Sequence, residues 1–144
     1  MHAMQTQDLE LAPITSRPAD DTRDVRAAFP IHRGGGAEST SAVYFELAPG
    51  MRLGAHTDSA EEVLVVLEGE VEAIVRDERT RISAGGFAVV PANAPHDVRN
   101  AGERTARVLG LFSSGAMIAE FEDEFSVAGG EPTRYAGTPA PAAA

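Results

Sequence analysis

The sequence contains no cysteine, no lysine and no tryptophan. Without cysteine the chain has no disulfides, thiolate metal ligands or cysteine nucleophiles, so a metal site must use imidazole and carboxylate groups. Without lysine it has neither a lysine Schiff base nor a lysine general base. No run reaches the roughly 18 apolar residues of a membrane span, and the N-terminus does not resemble a signal peptide. We therefore expect a soluble, cytoplasmic protein without a membrane partner.

Basic residues are also scarce. All 12 are Arg, they are scattered among 22 acidic residues, and the formal charge is −10. A nucleic-acid partner requires a clustered basic surface that neutralises phosphates, so none is expected. The length of 144 residues, with 43% hydrophobic and 6% aromatic residues, is typical of a single globular domain.

Helical periodicity is rare, although "RDVRAAF" is compatible with one helical turn. Between Thr40 and Phe125, short apolar runs are separated by Gly, Pro, Asn or Asp every 8 to 12 residues, which predicts an all-β barrel or sandwich. The predicted strands are "SAVYFEL", "EVLVVLEG", "EVEAIVR", "TRIS", "FAVVP", "HDVRN", "ARVLGLF" and "MIAEFE". The predicted division is an N-terminal arm with a leading strand or loop (1–39), one β-barrel domain (40–126) and a C-terminal tail (127–144).

The strand "EVLVVL" is apolar on both faces, unlike "EVEAIVR", which alternates between apolar and charged residues. Its outer face is therefore expected to be covered, either by a central position in a sandwich or by a second subunit.

Acids and a histidine are concentrated just before this strand. Alternation places His56 and Asp58 on one face, about 6 to 7 Å apart at their Cα atoms, so both side chains can reach one ion. Glu62 opens the next strand, while Glu61 should point the other way. His96 lies far along the chain, but a barrel brings distant strands together around its interior. The alternatives are that the histidines are surface residues or hydrogen-bonded core residues, and that "DSAEE" is a solvated loop.

Two spaced motifs resemble those of the cupin superfamily. The first motif has a Gly, an H-x-H pair, a Glu and a Gly, and its positions are occupied by Gly50, His56, Asp58, Glu62 and Gly69. The second has a Gly, P-x-G, a His and an Asn, and its positions are occupied by Gly85, Pro91, Asn93, His96 and Asn100. The resemblance extends over about residues 40–112, and it is strongest to small single-domain bacterial cupins described as quercetin-dioxygenase-like.

The resemblance implies a jelly-roll, antiparallel double-stranded β-barrel, commonly dimeric, with a divalent metal ion in its interior. By position, His56, Glu62 and His96 match the metal-binding residues of the family. Asn93 replaces a turn glycine, which costs little because Asn tolerates a positive φ. Asp58 replaces the second histidine of the first motif.

Asp58 has three possible roles: a direct metal ligand, a ligand acting through water, or a general base beside His56 in a site without metal. The predicted metal set is therefore His56, Asp58, Glu62 and His96, with Fe, Mn, Zn, Ni or Co as the ion. Glu62 and Asp58 are the predicted catalytic residues. Leu64, Val66 and Val98 should line the interior. Arg52 shares parity with His56 and could bind an anionic substrate, but an ion pair with an acid is the favoured interpretation.

The predicted function is a metal-dependent enzyme, dioxygenase-like, acting on a small organic molecule as a homodimer. The alternatives are a non-redox isomerase, cyclase or decarboxylase that uses the metal as a Lewis acid, and a non-catalytic ligand-binding protein.

Overall fold

The computed structural model describes residues 4, 6–16, 24–122, 125–127 and 133–136. Within these residues the chain forms strands and a single short 3-10 helix, Arg33–Gly35. The strands are β1 (Ala12–Ser16), β2 (Val25–Ile31), β3 (Ser41–Leu47), β4 (His56–Asp58), β5 (Glu62–Glu68), β6 (Glu70–Val75), β7 (Glu78–Ser83), β8 (Phe87–Val90), β9 (His96–Asn100), β10 (Ala106–Phe112), β11 (Met117–Phe121), β12 (Phe125–Val127) and β13 (Thr133–Ala136).

The strands form two antiparallel sheets, which confirms the predicted all-β jelly-roll architecture. The seven-stranded sheet has the order β12-β1-β2-β3-β10-β5-β8, and the six-stranded sheet has the order β13-β11-β4-β9-β6-β7. Strands distant in sequence are neighbours in both sheets, as when β4 pairs with β9 and β10 pairs with β5. The sheets are not closed into one continuous barrel, because β7 and β8 remain edge strands.

Each of the eight predicted apolar runs falls on a strand, and "SAVYFEL", "HDVRN" and "ARVLGLF" coincide with β3, β9 and β10. The prediction of a helical turn in "RDVRAAF" is wrong, because the residues from Val25 onward form β2. Buried Val25 and Ala27 flank exposed Arg26 there, which is the two-residue period of a strand.

The core lies between the two sheets. Leu64, Val66 and Val98, predicted to line the interior, are buried. Ile14 and Val25 also belong to this core, so β1 and β2, which lie before the predicted barrel domain, contribute to its packing. The predicted C-terminal tail lies outside the described residues except for Val127 and β13.

The outer face of β5 remains only partly covered by the described part of the chain. Val63 and Val65 are half-buried there, and Leu67 is 43% exposed. No helix among the described residues is long and apolar enough to cross a membrane.

Candidate metal centre

The four predicted site residues lie on three strands and meet between the two sheets. His56 and Asp58 form the ends of β4, and His96 begins β9 directly opposite His56. Glu62 begins β5 in the other sheet. All four side chains are buried, whereas Glu61 is exposed, which confirms the predicted opposite directions of the two glutamates.

Asp58 lies between the two imidazoles. Its Oδ2 atom is 3.0 Å from His96 Nε2 and 3.5 Å from His56 Nε2. Donor atoms of His56, Asp58 and His96 all lie within 4.8 Å of one another. Ligands about 2.0 to 2.2 Å from one ion are about 3.0 to 3.5 Å apart, so these spacings suit a shared cation. Glu62 adjoins this group through His96, with 3.4 Å between Oε1 and Nε2.

Backbone carbonyls orient both histidine rings. His56 Nδ1 is 2.6 Å from the carbonyl oxygen of Gly54, and His96 Nδ1 is 2.8 Å from that of Ala94. Because a carbonyl oxygen only accepts, each Nδ1 carries the proton and donates it, which turns Nε2 toward Asp58. Metal-ligating histidines are held in this way, with the second nitrogen fixed by an acceptor.

The inward-facing atoms lack hydrogen bonds. His96 Nε2 and Asp58 Oδ2 are buried and close, yet neither has a partner in hydrogen-bond geometry among the described residues. The two atoms form an ion pair when His96 is protonated, and a cation that replaces this proton would bind both atoms instead.

The site is strongly polarised. Burial alone would lower the pKa of His96, but Asp58 and Glu62 outweigh it and raise the pKa to about 10. Burial would raise the pKa of Asp58, yet contacts with His56 and His96 reverse this, and the pKa is lowered. Burial also raises the pKa of Glu62, which His96 only partly offsets. At neutral pH without metal, a proton on His96 therefore balances the charge of Asp58.

The chain also matches known proteins. A family model described as "Cupin domain" matches residues 43–112, which contain all four site residues. The chain is a member of the cupin superfamily. No protein of curated function matches its sequence. The quercetin-dioxygenase-like subtype stays a prediction.

Solved structures share this cupin fold at low sequence identity. The Cnp3 cupin domain of Schizosaccharomyces pombe is 16% identical with a TM-score of 0.60, covering 74% of this chain and 69% of that one. A mutant of Bacillus subtilis oxalate decarboxylase is 18% identical with a TM-score of 0.59, covering 63% of this chain and only 26% of that one. KdgF from Halomonas sp. is 22% identical with a TM-score of 0.55, covering 62% of this chain and 78% of that one. At these identities the likeness establishes the fold alone.

Sequence reasoning missed Gly110, which makes room for Glu62 in this cupin. A Cβ atom at Gly110 on β10 would overlap the Oε2 atom of Glu62 and lie 2.8 Å from Cγ1 of Val43. A glycine inside a strand often marks such a close approach, and "ARVLGLF" carried that signal. The missing side chain therefore defines the space that the Glu62 carboxylate occupies.

Other residues of the two motifs have structural roles. Asn93 has a φ of 63°, which confirms the expected positive-φ turn position. Asn100 is buried, and its amide group donates to the carbonyl oxygens of Leu47 and Arg104 while its Oδ1 accepts from the Gly102 N–H. Asn100 thus holds the turn that follows β9.

Arg52 does not face the site. It forms an ion pair with Asp97 at 3.4 Å, and its side chain is 43% exposed. Leu53, the next residue, lines the site cavity beside His56. The favoured ion-pair interpretation of Arg52 is therefore confirmed.

The cavity beside the four residues is small and mostly apolar. Its volume is about 30 Å³, which holds one or two waters. Its walls are formed by His56, Asp58 and Glu62 together with Ile14, Ala27, Phe29, Val43, Leu53, Phe112, Met117, Ala119 and Phe121. The Phe121 ring stacks on His56 with 4.6 Å between the ring centres. A substrate with several heavy atoms must therefore displace side chains such as Phe121.

Proposed function

We propose that this cupin binds one divalent metal ion through His56, Asp58 and His96, with Glu62 as the adjoining carboxylate. One observation carries the proposal: two buried, carbonyl-anchored imidazoles aim Nε2 at the same Asp58 oxygen, at 3.0 and 3.5 Å. Two imidazoles and two carboxylates suit Fe(II), Mn(II), Zn(II), Co(II) or Ni(II), and the two carboxylates favour the harder ions Mn(II) and Fe(II) over copper.

The geometry favours direct coordination among the three roles considered for Asp58. Its Oδ2 atom lies closer to His96 Nε2 than the Glu62 oxygen does, at 3.0 against 3.4 Å. The shorter side chain therefore reaches the centre of the cluster without a bridging water. Asp58 acts as a ligand in this proposal, and it also holds the charge that orients His96.

Glu62 is the proposed proton-transfer residue. Burial raises its pKa, which brings the carboxyl group closer to the range in which an acid can both give and take a proton. It also lines the cavity that a substrate would enter. The rest of the cavity wall is apolar and leaves room for only one or two waters, so charge interactions around the reacting group are weakly screened.

We propose that the protein is a metal-dependent enzyme for a small organic molecule, with dioxygenase-like chemistry as the leading class. A bound divalent ion would supply Lewis-acid polarisation of a substrate oxygen and, if redox-active, reactivity toward O2. Oxalate oxidase is among the proteins of similar fold, which supports oxidative chemistry as a candidate.

Non-redox chemistry is the second candidate, and the same fold supports it. Bacillus subtilis oxalate decarboxylase has Mn(II) centres in a similar fold. The lyase, isomerase and cyclase reactions require only a polarised carbonyl and a proton-transfer group, and Glu62 offers the latter. A non-catalytic ligand-binding protein would not need Glu62 as a proton-transfer group, so this role is less favoured.

Metal analysis of the purified protein tests the metal site. We expect about one equivalent of a divalent ion per chain in the wild type, and loss of it in His56→Ala and His96→Ala. Glu61→Ala is the matched control, because this exposed acid precedes Glu62 and points away. Equal trace metal in wild type and both histidine variants would overturn the proposal. Oxygen uptake with a panel of enolic substrates, after loading with Fe(II) or Zn(II), then separates oxygenase from Lewis-acid chemistry.

We also propose that the protein is a homodimer that uses the outer face of the β10-β5-β8 region. Exposed apolar side chains on this region are Leu67, Phe87, Val89 and Leu111. Contiguous apolar surface of this kind marks an interaction site. Light scattering tests it: Phe87→Ser should shift the wild-type dimer toward monomer, and a monomeric wild type contradicts the proposal.

A further inference from the structure

The segment that leads into β4, and so to His56, contains a bulge. Arg52 lies opposite Arg99, whereas His56 lies opposite His96. Between these two pairs the chain advances four residues from Arg52 to His56 but only three from His96 to Arg99. The segment before His56 therefore has one extra residue. Gly54 lies in this segment with a φ of 121°, a backbone conformation that side chains disfavour. Such bulges re-aim the side chains that follow them.

Asp97 holds this bulge with its side chain. Its Oδ1 atom accepts hydrogen bonds from the Gly54 N–H at 2.9 Å and from the Val98 N–H at 2.7 Å. On the preceding side, the Leu53 N–H donates to the Val98 carbonyl oxygen at 2.9 Å. The carboxylate thus accepts a hydrogen bond from the Gly54 N–H at the point where the extra residue interrupts the backbone pairing. The carboxyl group is buried, and Arg52 lies 3.4 Å from its other oxygen.

The same peptide region fixes the ring of His56. The Gly54 carbonyl oxygen accepts the His56 Nδ1 proton at 2.6 Å. Gly54 therefore links Asp97 to His56: its N–H donates to the Asp97 carboxylate, and its carbonyl oxygen accepts from His56 Nδ1. Asp97 adjoins His96 in sequence, yet its side chain supports the other histidine.

We propose that Asp97 is a positioning residue for His56: its carboxylate holds the Gly54 bulge, whose carbonyl keeps the proton on Nδ1 and turns Nε2 toward Asp58. The functional consequence rests on the proposed metal site, since the ring orientation matters there for ion binding. Outer hydrogen-bond partners of ligating histidines typically contribute 10- to 100-fold in metal affinity.

The test compares Asp97→Ala and Gly54→Ala with Asp97→Asn. The first two break the bulge from opposite sides. The third retains a side-chain oxygen that can accept both N–H groups. Glu72→Gln is the control, because Glu72 forms ion pairs with Arg79 and Arg99 on the same sheet but does not contact either histidine-anchoring carbonyl. Two readouts apply: ¹⁵N–¹H spectra of the histidine rings in the metal-free protein, and Zn(II) and Mn(II) affinity by calorimetry.

We expect Asp97→Ala and Gly54→Ala to lose the His56 Nδ1 proton signal while the His96 signal persists, and to weaken metal affinity 10- to 100-fold. Asp97→Asn and Glu72→Gln should retain the His56 signal and stay within a few-fold of the wild-type affinity. Either bulge variant that folds with an unchanged His56 signal overturns the proposal. If the wild type binds neither metal, the metal-site proposal fails, and the ring spectra still decide the role of Asp97.

Discussion

Gly110→Ala is expected to destabilise the protein and to disturb the candidate metal centre together. The added Cβ would overlap the Glu62 carboxylate and approach Val43 Cγ1 to 2.8 Å. Both neighbours are held between the two sheets, so relief requires an off-rotamer side chain or a strand shift. Overpacking of this kind costs about 1 to 3 kcal/mol in the free energy of unfolding. Because the Glu62 carboxylate is the group displaced, metal affinity should fall as well.

Urea unfolding of the metal-free protein, followed by circular dichroism, measures the first effect, and Mn(II) titration measures the second. Gly102→Ala is the matched control, because its Cβ would meet neighbours at ordinary distances of 3.6 to 3.7 Å. Adding Glu62→Asp to Gly110→Ala should recover part of the lost stability, because the carboxylate retracts by one methylene. Contacting residues show coupling energies of about 0.5 to 3 kcal/mol. Equal stabilities of Gly110→Ala and Gly102→Ala would refute the steric reasoning.

Three further predictions concern the centre and its cavity. The pKa of His96 is raised from 6.5 to about 10, so its protonated form stabilises the metal-free fold fully below pH 6.5, and this contribution is lost as the pH rises through 10. Urea midpoints across that range should therefore fall more steeply for the wild type than for His96→Gln, and parallel profiles contradict this. A metal ion at 100 times its dissociation constant should stabilise the wild type by about 2.7 kcal/mol in thermal unfolding, reversibly with EDTA, and His56→Ala should show no such shift. Phe121→Ala, which removes the ring stacked on His56, should destabilise the fold by about 0.5 to 3 kcal/mol and open the cavity to small organic ligands; unchanged ligand binding would show that Phe121 does not limit access.

Strand positions were predictable because a half-buried strand has a two-residue period and most turns carry Gly, Pro, Asn or Asp. The motif spacings likewise singled out the four residues that the fold brings together. Register irregularities were not predictable from alternation. The extra residue around Gly54 reverses the parity between Arg52 and His56, so the shared-parity argument could not place Arg52. The role of Gly110 depends on a contact with Glu62 across neighbouring strands, which only the assembled sheet reveals.

Asp58 is where this chain departs from the H-x-H pattern of the cupins it resembles, and the departure changes the proton balance of the centre. A histidine at this position would be neutral at pH 8, whereas Asp58 is an anion 3.0 Å from His96 Nε2. Burial lowers the pKa of His96, and the contact with Asp58 is the largest of the causes that raise it. A metal ion that takes this nitrogen must therefore displace a proton from the wild-type protein at pH 8.

Asp58→His should remove most of that requirement. Without the adjacent anion the pKa of His96 should fall toward its usual value, so the ring is already neutral at pH 8. Zn(II) binding should then release about one proton fewer per ion than in the wild type. Calorimetry at pH 8 in two buffers of different ionisation enthalpy measures this difference directly. Equal proton release in the two proteins would mean that Asp58 does not hold the proton on His96, and that Glu62 or another group carries the charge balance of the centre.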